Sequence, residues 1–557
     1  MSNGKEAGVG LSARIRELAH DAFGYSALRP GQEQAIRAVV EGKDALVVMP
    51  TGSGKSAIYQ VAGMLIEGKT VVVSPLLALQ RDQVEALTEH GAKGGEAEAL
   101  NSTLGKEERK ELLERAAAGK VEFLFLAPEQ FSSSDTLDRL RESPPSLFVI
   151  DEAHCVTEWG HDFRPEYLQL GAAIEALGNP RVLALTATAA APVRDEIIER
   201  LGMTDAEVIV HGFDRPNLEL SVERMTSEKE KLERLLELIP NLGRPGIVYV
   251  ATRQHADELA ESLRQAEIRA QAYHAGHDKT QRQRVQSAFM DDEFDVIVAT
   301  TAFGMGVDKA HVTFVVHYDI TGSLDAYYQQ VGRAGRDGDS AAAILLYQPD
   351  DIRLQRFLNS GTAIDASTHE RIAILLESAG GAVDAADLRD ATGLSATRLQ
   401  TVLNHLEEVG AITVDGDGVV LYRHGGPSPT EAAEAAQKLQ ERHKAFEKSR
   451  VEMMRAYAET DGCRRAYLLS YFGESYDPPC GHCDNCKAGD GLEQVTEGPF
   501  PIGGRVVHEN FGDGQVVRYE EGRVVVLFDE IGYQTLALDI VHDRGLLQDA
   551  KGAAASG

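Results

Sequence analysis

The sequence lacks an apolar run long enough to cross a membrane, and it has little cysteine and only one tryptophan. A membrane-spanning helix needs roughly 20 apolar residues, so no membrane partner is expected. The first residues, MSNGKEAGVGLSARIREL, contain no apolar signal core, which predicts a cytoplasmic protein. Four of the five cysteines lie within 463–486, and in a cytoplasmic chain such a cluster favours metal binding over disulfides.

Positively charged residues are scarce relative to negative ones. The chain has 56 Lys and Arg against 87 Asp and Glu, a formal net charge of -31 at pH 7. This balance excludes a surface coated with basic patches, and we interpret most of the charges as an acidic, soluble exterior. It does not exclude nucleic-acid binding, because phosphates are also bound by backbone N–H groups and helix N-termini.

Short apolar runs alternate with helical stretches from about residue 20 to residue 350. Runs such as DALVVM, TVVVSP and SLFVID, and later GIVYVA, DVIVAT and TFVVHYD, are typical of buried parallel strands. This alternation predicts an α/β protein with two doubly wound lobes. The boundaries that we predict for the lobes are 8–205 and 206–365.

The sequence changes character beyond the second lobe. Three short helical patterns followed by a hairpin predict a winged-helix-like domain at 366–424. A capping box that begins at Ser428 opens a helical module at 428–488, which contains the clustered cysteines. After a linker at 489–498, short strands separated by Gly turns predict a small β-barrel at 499–548.

A glycine-rich stretch, MPTGSGKS (49–56), stands between an apolar strand and a helical stretch, which predicts a phosphate-binding loop. Its backbone N–H groups would wrap the phosphates, Lys55 would reach the β- and γ-phosphates, and Ser56 would bind Mg²⁺. Met49 takes the place of the first glycine of the usual pattern. The predicted nucleotide-binding residues of this loop are Thr51, Gly52, Ser53, Gly54, Lys55 and Ser56.

Two further groups of residues suit the chemistry of a nucleoside triphosphate. Asp151 and Glu152 end the strand SLFVI, where one carboxylate can bind Mg²⁺ and its neighbour can orient the attacking water. Gln329, Arg333 and Arg336 belong to the run QQVGRAGR, and its arginines suit transition-state charge on a γ-phosphate across a cleft. Because the acidic pair accompanies a phosphate-binding loop, a catalytic role is favoured over a solvated loop.

The clustered cysteines have the spacing C-x16-C-x2-C-x2-C. They are Cys463, Cys480, Cys483 and Cys486. Four thiolates can converge on one tetrahedral ion and leave no open position, which predicts a structural metal site. His482 is a rival ligand, and an iron–sulfur cluster is the alternative to zinc. The isolated Cys155 is interpreted as a small packing residue.

A set of motifs follows one order along the chain: FGYSALRPGQ, MPTGSGKS, SPLLALQRDQV, LAPEQ, DEAHCVTEWGHDFRPEY, ALTATA, VATTAFGMGVDK, YYQQVGRAGRDG and the cysteine-containing CRRAYLLSYFGE and CGHCDNC. Together they resemble the motifs of RecQ-family DNA helicases of superfamily 2. The resemblance implies two RecA-like lobes, a zinc-binding module and ATP-driven 3′-to-5′ unwinding of DNA in recombination and repair. It also implies ATP, Mg²⁺ and Zn²⁺ as cofactors, and single-stranded and branched DNA as partners.

The same resemblance implies roles for particular residues. The motif that reads adenine is matched by Tyr25, Arg29 and Gln32. Arg336 matches the arginine finger, with Arg333 assisting at the phosphates or the DNA, and Thr186 and Thr188 would link hydrolysis to closure of the lobes. The aromatic-rich loop that contacts single-stranded DNA is matched by His154, Trp159, Phe163 and Arg164.

The chain departs from the family's common order, because the winged-helix pattern precedes the zinc module. The hairpin at 415–418 is a candidate for the pin that separates the strands, and the helix 395–409 is a candidate duplex binder. A scaffold or a protein-binding wing is the alternative. The alternative function is therefore a strand-annealing or repair-recruitment ATPase with weak unwinding, while the DNA-type motifs disfavour an RNA helicase.

The C-terminal segment GGRVVHENFGDGQVVRYEEGRVVVLFD resembles the Tudor/SH3-like barrel at the end of UvrD/PcrA-type helicases. That resemblance implies docking on RNA polymerase, and a generic nucleic-acid-binding barrel is the rival interpretation. We therefore expect RNA polymerase or single-strand-binding protein as a further partner.

Overall fold

The computed structural model describes residues 3–50, 52–75, 80, 83–85, 87–88, 96–100, 104–132, 134–157, 165–304, 309–359, 364–414, 418–474, 476–489, 498–520 and 522–549. Within these residues, no helix is both long enough and apolar enough to cross a membrane.

The first lobe is a seven-stranded parallel sheet with helices on both faces. Its strands are β1 (Ala45–Val48), β2 (Thr70–Val73), β3 (Glu96–Leu100), β4 (Val121–Leu126), β5 (Leu147–Ile150), β6 (Arg181–Thr186) and β7 (Glu207–Val210). The order is β3-β4-β2-β5-β6-β1-β7. Strand β1 sends Leu46 and Val48 into one core cluster and Ala45 and Val47 into another, as a strand buried on both faces must.

The helices of the first lobe include α1 (Asn3–Phe23), α2 (Gln32–Val40), α3 (Lys55–Leu65), α4 (Lys106–Ala117), α5 (Ser134–Glu142), α6 (Leu170–Ala176) and α7 (Ala191–Arg200), and residues 80, 83–85 and 87–88 are also helical. Because β7 pairs with β1, the first lobe extends past the boundary predicted at 205–206 to at least Val210. Strand β7 is an edge strand and half exposed, and its apolar run is only three residues long, Val208–Val210.

The second lobe is a six-stranded parallel sheet. Its strands are β8 (Leu218–Arg224), β9 (Gly246–Tyr249), β10 (Ala270–Tyr273), β11 (Val296–Ala299), β12 (Phe314–His317) and β13 (Ala341–Tyr347), in the order β10-β11-β9-β12-β13-β8. Its helices are α8 (Glu228–Leu238), α9 (Arg253–Gln265), α10 (Lys279–Met290), α11 (Leu324–Val331) and α12 (Asp351–Asn359). Both lobes therefore have the doubly wound architecture that alternating strands and helices predict.

A small helical domain with three short strands follows. It consists of α13 (Ala366–Ala379), β14 (Val383–Asp384), α14 (Ala385–Thr392), α15 (Ala396–Glu408), β15 (Ile412–Val414) and β16 (Val419–Tyr422), and its antiparallel sheet has the order β14-β16-β15. Ile372, Leu388, Leu403 and Val420 belong to a separate core. This is the predicted winged-helix arrangement, although three residues of the candidate pin, 415–417, lie outside the described residues.

The zinc-binding region and the C-terminal domain pack together. The long helix α16 (Pro429–Glu459) begins with the predicted capping box at Ser428 and is followed by α17 (Arg464–Tyr471) and α18 (Asp484–Ala488). The C-terminal domain contains β17 (Arg505–His508), β18 (Gly512–Glu520), β19 (Arg523–Phe528), β20 (Gly532–Ala537), α19 (Leu538–Arg544) and β21 (Leu547–Asp549), with the antiparallel order β20-β19-β18-β17-β21. Tyr533 of β20 stacks on Tyr471 with a centroid distance of 5.4 Å, so this domain is docked on the zinc-binding region.

Candidate functional site

The phosphate-binding loop joins the end of β1 to the start of α3. Gly52 and Gly54 have positive φ angles of 75° and 79°, which is the conformation that favours glycine. The Lys55 ammonium donates to the carbonyl oxygens of Met49 and Pro50 at 2.9 and 3.2 Å, so the loop is folded around this side chain. Burial lowers the pKa of Lys55, and the nearby carboxylates oppose that shift. Ser56 lies in the first turn of α3, and Thr51 lies outside the described residues.

Asp151 and Glu152 stand at the carboxyl end of β5, as predicted. Burial and the neighbouring Glu152 raise the pKa of Asp151 to about 7, because both disfavour its negative charge. Glu152 has a φ angle of 51°, a left-handed conformation that is strained for a residue with a side chain. Two contacts hold this turn: the Glu152 N–H donates to Asp151 Oδ1 at 3.0 Å, and the Tyr167 hydroxyl donates to the Asp151 carbonyl at 3.0 Å.

His154, which is predicted to belong to the DNA-contacting loop, is buried in this structure. The side chain of His154 is only 1% exposed. Its Nδ1 lies 2.9 Å from Thr186 Oγ1 and 3.4 Å from Glu152 Oε2, and the Thr186 hydroxyl in turn donates to the Thr188 carbonyl at 3.0 Å. His154 therefore connects the acidic pair to the end of β6. The other predicted DNA-contacting residues, Trp159, Phe163 and Arg164, lie outside the described residues.

The residues predicted to read adenine lie beside the phosphate-binding loop. The Gln32 amide nitrogen donates to the carbonyl oxygens of Ser53 and Gly54 at 3.0 and 2.9 Å, and the Arg29 guanidinium donates to the Gly52 carbonyl. Tyr25 is 36% exposed and stacks on Phe23. In this conformation Gln32 holds the loop itself, so contact with a base requires it to exchange these hydrogen bonds.

The two arginines of the second lobe face different surroundings. Arg336 lies against the phosphate-binding loop, since a β-carbon placed on Gly52 would be 3.4 Å from Arg336 Cγ. Arg333 is buried within the second lobe, where its Nη2 would lie 3.7 Å from a β-carbon on Gly304. Gln329 is also buried, on α11. Of the three residues, Arg336 is the one that the structure places beside the loop of the opposite lobe.

A cleft of about 350 Å³ lies between the two lobes. The first lobe lines it with Arg29, Pro30, Met49, Pro50, Gly52 and Ser53, and the second lobe with Gly335, Arg336, Asp337 and Gly338. The sequence reasoning missed Arg215 and Asn217, which also line the cleft and belong to the segment between the lobes. No local pattern in the sequence marks these two residues, because their partners lie more than 115 positions away.

The four clustered cysteines converge, as their spacing predicts. One sulfur atom from each of Cys463, Cys480, Cys483 and Cys486 lies within 4.8 Å of the others. The Cys480 and Cys486 sulfurs are 3.8 Å apart, too far for a disulfide but close to the ~3.8 Å expected between two thiolates on a tetrahedral zinc. The N–H groups of His482 and Cys483 donate to Cys480 Sγ. Hydrogen bonds, of which the one from the Cys463 thiol has the largest effect, lower the pKa of Cys483 to about 4. This donor set fits zinc.

Comparison with protein families places the same regions in known groups. Residues 29–196 match the DEAD/DEAH box helicase family. Residues 230–338 match the helicase conserved C-terminal domain, and residues 430–487 match the family described as RecQ zinc-binding. The cysteine cluster is thus part of a zinc-binding module that follows the two lobes.

Individual relatives cover most of the chain. It is 37% identical over 479 residues to the "Probable ATP-dependent DNA helicase RecS" of Bacillus subtilis (strain 168), with 85% of this chain and 91% of the relative covered. It is 35% identical over 504 residues to the "ATP-dependent DNA helicase RecQ" of Pasteurella multocida (strain Pm70), with 89% and 67% covered. The solved structure of S. cerevisiae Dbp5 bound to RNA and ADP BeF3 shares the fold, with a TM-score of 0.50, 18% identity, and 63% and 92% coverage. Since the identity to these bacterial relatives extends over most of this chain, the chain belongs to the RecQ family of ATP-dependent DNA helicases.

Proposed function

We propose that this helicase hydrolyses Mg²⁺–ATP to translocate 3′-to-5′ on single-stranded DNA and to unwind duplex and branched DNA in recombination and repair. The observation that carries the proposal is the cleft, where Arg336 from one lobe lies against Gly52 from the other. A nucleotide bound between the lobes would be sensitive to their separation, because groups from both lobes would contact its phosphates.

Within that cleft we assign the roles from the positions of the side chains. Lys55 would bind the β- and γ-phosphates with the loop N–H groups, and Arg336 would stabilise charge on the γ-phosphate. Ser56 and Asp151 would hold Mg²⁺, whose charge would favour the ionised form of Asp151, and Glu152 would orient the attacking water. Tyr25, Arg29 and Gln32 would read the adenine, with Gln32 reporting occupancy of the site through its bonds to the loop.

We assign contact with single-stranded DNA to Trp159, Phe163 and Arg164, which follow the acidic pair in the chain. An aromatic side chain stacks on any base, which suits an enzyme that moves along DNA without sequence preference. Only six residues, 153–158, separate the acidic pair from Trp159 in the chain, which supports coupling between this segment and the nucleotide cleft. Arg333 and Gln329 would support the arginine loop from within the second lobe rather than contact the phosphates.

A strand-displacement assay tests the proposed polarity. The full chain should displace a strand from a duplex with a 3′ single-stranded tail and not from one with a 5′ tail. Displacement from both substrates at equal rates, or from the 5′-tailed substrate alone, would overturn the polarity. Lys55→Ala should bind DNA and displace no strand, and unwinding by this variant as fast as by wild type would refute the ATP-driven mechanism.

A second function, strand annealing or recruitment of repair proteins with weak unwinding, is favoured by the charge of the winged-helix domain. Residues 366–424 contain four Arg and no Lys against nine Asp and Glu, which opposes binding of this domain to duplex phosphates. Glu408, at the end of α15, is paired with Arg200 of the first lobe at 3.1 Å. If annealing of complementary strands proceeds at the wild-type rate in Lys55→Ala while displacement by wild type is negligible, this second function is the correct one.

We also propose that the C-terminal domain recruits RNA polymerase or single-strand-binding protein. The part of its surface that stacks on Tyr471 is occupied within the chain, so the partner would bind elsewhere, and Ile540 on α19 is an exposed apolar candidate. A pull-down with Ile540→Asp tests this better than deletion of the domain, because deletion would uncover Tyr471. Wild-type chain that retains neither protein would refute the recruitment proposal.

A further inference from the structure

The segment between the two lobes connects more than their ends. We call residues 211–217 the interlobe hinge, because strand β7 of the first sheet ends at Val210 and strand β8 of the second begins at Leu218. The hinge contacts two other parts of the chain. One is the arginine loop (residues 332–339), which contains Arg333 and Arg336, and the other is the end of the zinc-binding module.

On one side, two hinge side chains donate hydrogen bonds to the backbone of the arginine loop. The Arg215 guanidinium donates through Nη2 to the carbonyls of Ala334 and Gly335 at 3.0 and 2.8 Å, and through Nη1 to that of Gly332 at 3.5 Å. The Asn217 amide donates to the carbonyls of Gly335 and Asp339, both at 2.8 Å. Hydrogen bonds from a charged guanidinium are stronger than neutral ones, so these contacts fix the loop that carries Arg336.

The backbone conformation of the arginine loop allows these hydrogen bonds to form. Gly335 has a φ angle of 59°, and a β-carbon there would lie 2.5 Å from Asn217 Nδ2. The absence of a side chain at Gly335 is therefore what allows Asn217 to approach the loop. Arg336 comes directly after this glycine, so its direction depends on the conformation that Arg215 and Asn217 hold.

On the other side, residues of the zinc-binding module stack on the hinge and form hydrogen bonds with it. The Phe213 ring stacks on Phe472 with a centroid distance of 4.5 Å and an interplanar angle of 6°, and the Phe213 N–H donates to Glu474 at 2.9 Å. Arg465, two residues after Cys463, is 4% exposed. Its guanidinium donates to the Asp214 carboxylate at 2.8 Å and to the Leu218 carbonyl at 2.7 Å.

We propose that Arg215 and Asn217 are positioning residues for the arginine finger Arg336, and that the zinc-binding module sets their position through Phe213 and Asp214. The proposal rests on the proposed role of Arg336 in hydrolysis. The hinge is bonded to the arginine loop on one side and to the zinc-binding module on the other. A shift of the zinc-binding module would therefore also shift the arginine loop. A misplacement of about 1 Å at a catalytic group can reduce a rate by about 100-fold, so a small displacement suffices.

The test uses the full chain, saturating single-stranded DNA and steady-state ATP hydrolysis. Arg215→Ala should lower kcat about 10- to 100-fold, and it should raise the Kd for a fluorescent ATP analogue by a smaller factor, because Arg215 lines the cleft but the contacts of the first lobe are intact. Asn217→Ala should act in the same direction and serves as the second variant if Arg215→Ala fails to fold. If Arg215→Ala and Asn217→Ala both fold and both keep the wild-type kcat, the proposal is overturned.

A double-variant comparison tests the path through the zinc-binding module. Arg465→Ala should lower kcat with its zinc content retained, and Arg215→Ala combined with Arg465→Ala should fall no further than Arg215→Ala alone. Arg224→Ala is the matched control, because it removes a 2.8 Å bond between the second lobe and the Glu459 carbonyl on α16 without touching the hinge. Multiplicative losses in the double variant, or an equal loss in Arg224→Ala, would overturn the path. A wild-type chain that hydrolyses no ATP would instead refute the proposed function.

Discussion

His154 Nδ1 lies 2.9 Å from Thr186 Oγ1, a contact between residues 32 positions apart that joins the acidic turn after β5 to the end of β6. Both side chains are buried, at 1% and 0% exposure, so solvent does not compete for this hydrogen bond. The same imidazole faces Glu152 at 3.4 Å. We therefore expect a change in the position of Glu152 on nucleotide binding to reach Thr186 through this imidazole.

Replacement of the Thr186 hydroxyl should uncouple hydrolysis from DNA. In Thr186→Val the side chain keeps its shape and loses the hydrogen bond, so we expect DNA-stimulated kcat to fall about tenfold, equivalent to roughly 1.4 kcal/mol, with DNA-independent hydrolysis retained. ATPase assays with and without single-stranded DNA measure this. Thr313→Val is the control, because it removes a comparable 3.0 Å bond to the Pro245 carbonyl in the second lobe. Full stimulation of Thr186→Val would contradict the coupling.

Trp159→Ala tests the proposed DNA contact from the other end. We expect DNA-independent ATP hydrolysis to be retained while DNA stimulation and strand displacement are lost, because a stacking contact is worth about 1–3 kcal/mol per base. Fluorescence anisotropy with labelled single-stranded DNA should show weaker binding. An equal loss of hydrolysis without DNA would mean that Trp159 supports the first lobe rather than contacting DNA.

The features that were predictable from the sequence are those defined by neighbouring residues. The glycine-rich loop before Lys55, the acidic pair after β5 and the spacing of Cys480, Cys483 and Cys486 are each local, and strand and helix periodicity supplied the two lobes. The lobe boundary was placed before strand β7 because its apolar run of three residues, Val208–Val210, does not show which of the two sheets the strand joins.

Features that depend on contacts between distant residues were not predictable in the same way. The burial of His154 depends on its contact with Thr186 at the end of β6, whereas the family resemblance assigned it only to the DNA-contacting loop. Arg215 and Asn217 bond to carbonyls more than 115 positions away, so no spacing rule reveals their target. The docking of Tyr533 on Tyr471 is of the same kind.

Removal of one clustered cysteine should remove the metal. In Cys483→Ser we expect zinc content to fall from about one ion per chain to near zero, since a hydroxyl is a poor replacement for a thiolate. Elemental analysis of the purified chain measures this. The melting temperature should also fall, because the zinc-binding module, which packs on Phe213, loses the metal that links its cysteines.

His482→Ala and Cys155→Ser are the matched controls for this prediction. His482 lies between two ligands but donates only its backbone N–H to Cys480 in the structure, and Cys155 is buried in the first lobe. Both variants should retain zinc. Loss of zinc from His482→Ala would instead make the histidine a ligand, and retention of zinc by Cys483→Ser would refute the four-cysteine site.

The contact between the first lobe and the winged-helix domain should make stability depend on pH through Glu196. Burial raises the pKa of Glu196 to about 7, with Glu408 adding to the shift, while Arg200, at 2.6 Å, and His443 oppose it. Below the ordinary pKa of 4.5 the proton is bound in both the folded and the unfolded chain. As the pH rises towards 7 the unfolded chain releases it first, so the free energy of unfolding decreases by up to about 3 kcal/mol.

Glu196→Gln should remove this pH dependence, because glutamine resembles the protonated carboxyl group and has no charge to bury. We expect the variant to be more stable than wild type at pH 8, by as much as about 3 kcal/mol, with the difference shrinking as the pH is lowered to 5. Denaturant unfolding at the two pH values measures it. Glu199→Gln, an exposed glutamate on the same helix, should behave as wild type. A Glu196→Gln variant that is less stable than wild type at pH 8 would show that the bond to Arg200 outweighs the cost of burying the charge.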